Sequence, residues 1–267
     1  MENLPINSDT INKSIDLIDE STKETRKEID KTTAKGFEKL TQLIWASPVG
    51  RAIDLYIAER PYKMEKALEE MKQKYESIPA PFKVEPSSYI ALKGVNELNY
   101  SLDEEHLKEM FQNLLVSDMD SRKKNKVLPS YIEMIKQLSK EDAEFLKLLK
   151  SSSTYNSGLY LISLQKKNND NSYNWRNKYL LIQYYVQNDE FYLKTAIQVP
   201  DKILDNLLRL RIVDIPSGEN FTYKPLYEQL FEYAQKAESS VFQELGYQKQ
   251  ILKITSFGKD FIDICLS

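Results

Sequence analysis

Cysteine is all but missing from this sequence. Cys265 stands alone among 267 residues, which rules out an internal disulfide framework and points to a reducing, cytoplasmic compartment. Histidine is as scarce, and a single His106 leaves little material for a zinc site. The seven glycines are scattered singly, and no Gly-x-x-x-x-Gly-Lys-Ser/Thr, Gly-x-Gly-x-x-Gly, Gly-x-Ser-x-Gly or His-Glu-x-x-His pattern occurs. Nucleotide hydrolysis by a P-loop is thereby excluded. The uncharged run of residues 40–50 is about half the roughly 20 apolar residues a spanning helix needs, and it contains Ser47-Pro48. Met-Glu-Asn-Leu-Pro at the start lacks the basic-then-apolar order of a secretory signal, so export is not expected. Neither sign of charge dominates. A net charge of -3, from 37 basic and 40 acidic residues, is too small to draw the whole protein onto nucleic acid or anionic lipid.

What is present fits a globular chain of helices with charged faces, at 41% hydrophobic and 29% charged residues. The pattern predicts a mainly α fold with a small α+β part. Residues 1–35 form a polar, heptad-like arm, residues 36–150 a helical domain, and residues 151–267 a winged-helix-like domain. In the arm, Ile11, Ile15, Ile18, Thr22, Thr25, Ile29 and Thr32 alternate steps of four and three, a seam that needs a partner to stay helical in water. An amphipathic strip follows: Phe37, Leu40, Leu43, Ile44 and Trp45, then, behind a Ser47 cap and Pro48, Ile53, Tyr56 and Ile57. Pro61 kinks or divides the helix that carries Met64, Leu68, Met71 and Tyr75.

Further along, Pro86 opens a helix with Tyr89, Ile90 and Val95, and Ser101 with Glu104 reads as a capping box for the next one. Pro129 and Ser139 mark two more helix starts. Past Ser151-Ser152-Ser153 the β-prone content rises, with strands expected over residues 159–164 and 179–186 and around Phe191 and Tyr192. A helix from Asp201, a hairpin at Ile212-Val213-Asp214-Ile215 turning through Pro216-Ser217-Gly218, a helix from Pro225, a strand at residues 251–254 and a last helix complete the winged-helix-like reading.

Chemistry is harder to find. Asp103, His106 and Glu109 share a helix face at metal-ligand spacing, but a solvated face accounts for them as well. Cys265 sits among Phe261, Ile262 and Ile264 and reads as packed rather than reactive. Arg122, Lys123, Lys124 and Lys126 form the strongest local positive patch, a loop that could meet a partner or simply be solvated. The helix ahead of the expected wing offers Asp201, Lys202, Asp205, Asn206 and Arg209, a balance of charge that disfavours phosphate contact. The strip from Phe37 through Leu40, Leu43, Ile44, Trp45, Ile53 and Tyr56 to Ile57 reads either as core or as a membrane- or partner-binding face, with Lys39 and Arg51 placed for headgroups.

Two stretches resemble the abortive-infection alpha family. One is Leu114-Leu115-Val116-Ser117-Asp118-Met119-Asp120 together with the residues from Val127-Leu128-Pro129-Ser130-Tyr131 to Ser139-Lys140-Glu141-Asp142-Ala143. The other is the closing Ile254-Thr255-Ser256-Phe257-Gly258-Lys259-Asp260-Phe261-Ile262-Asp263-Ile264-Cys265. Arg209-Leu210-Arg211-Ile212-Val213 departs from the pattern, because a glycine is expected after the leucine, and this leaves the turn there open. The resemblance implies a bacterial anti-phage role and carries no catalytic residue across. The resulting expectation is a non-enzymatic defence protein, without a cofactor, that binds a phage protein. It would form a homo-oligomer on activation and join or disturb the membrane, with nucleic acid a less favoured partner. The alternative is a winged-helix DNA-binding regulator.

Overall fold

The computed structural model describes residues 60–152, 154–167, 173–238 and 245–266, and the chain divides into two compact units, the second running from Gln137 to Leu266. The arm of residues 1–35 and the strip of residues 37–57 lie outside the described residues.

The first unit contains helices α1 (Arg60–Glu76), α2 (Ser88–Tyr100), α3 (Glu105–Asp118) and α4 (Ser130–Ile135). Pro61 is the second described residue of α1. Behind it Met64, Ala67, Leu68, Met71 and Tyr75 recur at three- and four-residue steps and are all buried. The central helix is α3, which packs against α1, α2 and α4. Every residue from Met110 to Asp120 is buried, so the helix has no side facing water over that length. Gly94 lets α2 come close: a Cβ there would stand 2.8 Å from the Leu115 side chain. The capping box expected at Ser101 and Glu104 does not form. Ser101 ends α2 instead, its Oγ donating to the Glu97 carbonyl at 2.8 Å, because the open carbonyls of that last turn are the nearer acceptors.

The second unit contains α5 (Lys140–Ser151), β1 (Leu159–Lys167), β2 (Tyr173–Gln187), β3 (Glu190–Val199), α6 (Asp201–Arg209), β4 (Val213–Asp214), α7 (Pro225–Ala237), β5 (Leu245–Ile254) and α8 (Ser256–Cys265). Ser139 starts α5 through a true capping box, accepting from the Asp142 N–H at 3.2 Å while donating its own N–H to the Asp142 carboxylate at 2.8 Å.

The expected mainly α fold with a winged-helix-like end is overturned here. The strands form one five-stranded sheet in the order β3-β2-β1-β5-β4, antiparallel throughout. No hairpin forms at Ile212 to Gly218, since β4 pairs with β5, Val213 opposite Ile254. The central strand β1 has Leu161 facing Leu180 on one side and Gln250 on the other. That second partner is far downstream, which is why local pattern alone suggested only a small wing. Residues 159–164 are all buried, so both faces of β1 are covered. On one face Tyr160, Ile162, Leu164, Tyr179 and Leu181 pack with Leu226, Tyr227, Leu230 and Ala234 of α7.

Both edges of the sheet are blunted. At one, β4 is two residues long. At the other, the Gln229 side chain on α7 stands in for a further strand: its Nε2 donates to the Phe191 carbonyl at 2.9 Å and its Oε1 accepts from the Leu193 N–H at 2.7 Å.

The turn left open after α6 is a left-handed helix end. Arg211 has φ +59, its N–H reaching the Leu208 carbonyl at 3.0 Å and that of Ile212 reaching the Leu207 carbonyl at 3.0 Å. That conformation favours glycine, which explains the expectation of one at this position. The closing motif locks onto the same turn. Thr255 donates its N–H to the Ile212 carbonyl at 3.1 Å and its Oγ1 to the Arg211 carbonyl at 2.7 Å, while capping Gly258 N–H of α8 at 2.8 Å. Gly258 has no space for a side chain, because a Cβ would lie 2.0 Å from the Ile212 carbonyl oxygen.

Two substitutions should therefore act in opposite directions. Gly258→Ala should lower unfolding stability by about 3 kcal/mol, since the obstacle is backbone that cannot rotate away. Arg211→Gly should raise it by about 0.5 kcal/mol, relief of the left-handed strain being partly offset by a looser unfolded chain. Urea unfolding of both variants checks the pair.

Candidate functional site

The basic loop lies at the end of α3, and much of its charge is used internally. Asp120 is buried and forms an isolated β-bridge with Lys83. Arg122 folds back on it as a fork, Nε donating to Oδ1 at 2.9 Å and Nη2 to Oδ2 at 2.6 Å. The Arg122 hydrogen bonds hold the Asp120 carboxyl below the usual carboxylate range. The same guanidinium lies 4.7 Å from the Phe82 ring centre. Lys124 Nζ donates to the Glu85 carbonyl at 2.5 Å. Lys123 is half-buried and Lys126 exposed. Asp118, just upstream, is buried and accepts from Ser87 N–H at 2.6 Å and Ser87 Oγ at 2.9 Å, which ties the start of α2 to the end of α3.

A second polar cluster, between α1 and α3, escaped sequence reasoning. The Lys108 side chain is 8% exposed and bridges Glu70 at 3.1 Å and Glu105 at 2.9 Å. Gln112 donates its amide to Glu70 at 2.8 Å and to the Ala67 carbonyl at 3.0 Å. Lys74 reaches Asn113 Oδ1 at 2.7 Å. Charged positions at three- and four-residue spacing normally read as a solvated face. The only sequence signal against that reading is that α3 also carries a wide apolar face. Burial alone would push the Glu70 carboxyl up, but hydrogen bonds from Gln112 and Lys108 outweigh it and hold it low. Burial likewise disfavours the Lys108 ammonium, and Glu105 and Glu70 overcome this to raise it. Burial lowers Lys74.

The Asp103, His106 and Glu109 row does not converge. Asp103 pairs with Lys63 at 2.6 Å, and among the described residues no three His, Cys, Asp or Glu side chains gather as a metal site. Cys265 is wholly buried, which pushes its thiol pKa well up. The helix ahead of the expected wing ties Asp201, Asn206 and Arg209 within its own unit. On α6, Asn206 donates to the Gln137 carbonyl at 3.0 Å and to Asp142 at 2.9 Å, Arg209 donates to Gln137 Oε1 at 2.7 Å, and Asp201 pairs with Lys178 at 3.4 Å. Phe37, Leu40, Leu43, Ile44, Trp45, Ile53, Tyr56 and Ile57 lie outside the described residues. No described helix is long and apolar enough to cross a membrane.

One exposed surface stands out in the second unit. From Gln183 onward β2 pairs with β3 alone, and the ribbon ends in a two-residue turn with Asn188 at φ 52 and Asp189 at φ 62. Tyr185 and Tyr192 stack on its outer face with ring centres 5.3 Å apart, and Tyr185 and Val186 are 46% and 55% exposed. On the inner face Tyr184, Phe191 and Leu193 pack against the core under α7.

The model of the abortive infection alpha family matches residues 59–265, and the chain belongs to that family. Its role is therefore an anti-phage one, in abortive infection. No curated protein and no solved structure gives a significant match.

The α1–α3 cluster sets a pH window for stability. Because the Glu70 carboxyl is held low, its contribution is present above the unfolded carboxylate value of about 4.3 and is lost as pH falls through the folded value. Because Lys108 is held high, its contribution is present below the unfolded value of about 10.4 and is lost as pH rises through the folded one. Urea unfolding across pH should show the acid limb flattened in Glu70→Gln. Lys108→Met should cost about 1–2 kcal/mol at neutral pH, because it strands Glu70 only part-way out of water.

Proposed function

We infer that this chain is a non-enzymatic abortive-infection effector that binds a phage protein, self-associates, and acts at the membrane through residues 37–57. The observation that carries the binding part is the aromatic tip of the β2–β3 ribbon. Tyrosine supplies large, rigid contact area with a polar end, and it is enriched where proteins recognise one another. Here Tyr185 and Tyr192 are presented on one face of a ribbon whose turn is formed by Asn188 and Asp189. Recognition by side chains also suits an edge strand whose free backbone Gln229 partly occupies.

The non-enzymatic reading draws on how the buried polar side chains are used. Asp118, Asp120, Lys108, Gln112 and Asp142 are each tied to a named partner in the scaffold. The membrane part draws on composition: Trp45 and Tyr56 beside aliphatics, with Lys39 and Arg51 at hand, suit an interface.

The test is plaquing efficiency over a diverse phage panel on bacteria expressing the protein, with host membrane potential followed during infection. Wild type should lower plaquing of at least one phage and depolarise the host. Tyr185→Ser with Tyr192→Ser should restore plaquing while the purified protein keeps its unfolding midpoint, and Ile53→Asp should abolish depolarisation. Full protection by the double tyrosine variant would remove the ribbon tip as the recognition surface.

A further inference from the structure

Strand β3 closes one side of the sheet, and its hairpin with β2 decides which backbone groups face outward. Gln187 pairs with Glu190 across the two-residue turn, followed by Val186 with Phe191, Tyr185 with Tyr192 and Tyr184 with Leu193. The pair that closes such a turn exchanges hydrogen bonds, and bonded and non-bonded pairs alternate from there. Glu190 and Tyr192 therefore turn their backbones to β2, while Phe191 and Leu193 turn theirs away from it. The Gln229 side chain meets two of the four outward groups, the Leu193 N–H at 2.7 Å and the Phe191 carbonyl at 2.9 Å. The Phe191 N–H and the Leu193 carbonyl point the same way.

An edge of this kind is a template for another strand, and the residues of β3 say which. When β3 pairs antiparallel with itself about Tyr192, Phe191 of each copy stands opposite Leu193 of the other, so the outward groups of both copies meet. The same register sets Glu190 opposite Lys194, an attractive pair that the two-fold axis repeats. Moving the centre to Phe191 or Leu193 loses that pair, since Lys194 then faces Asn188 or Tyr192. A lysine on an edge strand discourages pairing in general, and here it admits one register. The two Tyr192 residues face each other as a non-hydrogen-bonded pair, the closer kind. The stacked Tyr185 and Tyr192 of each copy then join into one row on the outer face.

We propose that the β3 edge is the surface through which this chain associates with a second copy of itself, antiparallel about Tyr192, and that Gln229 holds the edge shut in the single molecule. The pairing rests on the self-association inferred above and gives it a surface. A phage protein would still meet side chains, on the tyrosine row that the two copies share.

The test uses the purified full chain without phage or lipid. In Gln229→Ala the bonds that shut the edge no longer have to be broken, so sedimentation over a range of concentrations should show a dimer about tenfold tighter than wild type. In that background Lys194→Glu, which sets like charges opposite each other, should return the chain to monomer. Adding Glu190→Lys should restore the dimer. Both positions are exposed, so the exchange leaves the fold alone. A second measurement fixes the register. Under oxidised glutathione and in the same background, Tyr192→Cys should give a covalent dimer, because a non-hydrogen-bonded pair sits at disulfide distance. Tyr185→Cys, one strand further from the axis, should not. The buried Cys265 cannot supply the link. A Gln229→Ala protein that stays monomeric at every concentration would overturn the proposal. Association indifferent to the charges at positions 190 and 194 would also overturn it, by moving self-association to another surface while leaving the anti-phage reading, judged by plaquing and depolarisation, as it stands.

Discussion

From Met110 to Asp118 the helix α3 is buried at every residue, and its polar side chains Gln112, Asn113 and Asp118 are each matched from a neighbouring element. Lys108 and Gln112 meet Glu70 on α1, Asn113 meets Lys74, and Asp118 accepts from the N–H of Ser87, just ahead of α2. Apolar packing drives the first unit together, yet it is non-directional and tolerates sliding. The polar ties do not. A lysine buried without its glutamate, or an aspartate without its serine, costs several times what the finished bond contributes, so one register of α1, α2 and α3 is selected over its neighbours.

The second unit meets the same demand with backbone. Its strands are paired across long stretches of chain, and the join between β4, β5 and α8 depends on a close approach of main chain to main chain at Gly258 and Ile212. Thr255 serves that junction three ways, as a strand-end donor, a hydroxyl donor to Arg211 and a helix cap. The left-handed Arg211 turn aims the Ile212 carbonyl at this point. The residues of the closing motif are thus explained by what they hold in place.

How much of this was legible follows from the range over which each signal acts. Helix starts marked by a capping chemistry of their own, such as Ser139 with Asp142, could be read directly, as could the β-prone runs at residues 159–164 and 179–186. Ser101 was misread because its hydroxyl had two possible uses three or four residues apart, and only the folded α2 decides between them. The sheet was underestimated because β1 pairs with β5 and β4 with β5 across separations that no window of sequence contains. The α1–α3 cluster was missed for a related reason: Lys108 and Gln112 look like a solvated face until a second helix arrives to cover them. At the sites, the Arg122 to Lys126 patch was visible as charge, but its pairing with Asp120 and the Glu85 carbonyl was not.

In the two stretches that resemble the family, the side chains of Asp118, Asp120, Ser139, Asp142 and Thr255 are consumed inside the fold, and Gly258 leaves room for a backbone contact. A signature of that kind specifies a scaffold and leaves the choice of partner to other positions. The β2–β3 ribbon shows how both can be carried by one pair of strands. Side chains alternate across a strand, so Tyr184, Phe191 and Leu193 anchor the ribbon under α7 while Tyr185 and Tyr192 point the other way and bear none of that packing. The outer face can therefore change without disturbing the core. With Gln229 already bonded to the edge at Phe191 and Leu193, a partner at the tip would be read by side chains more than by an added strand.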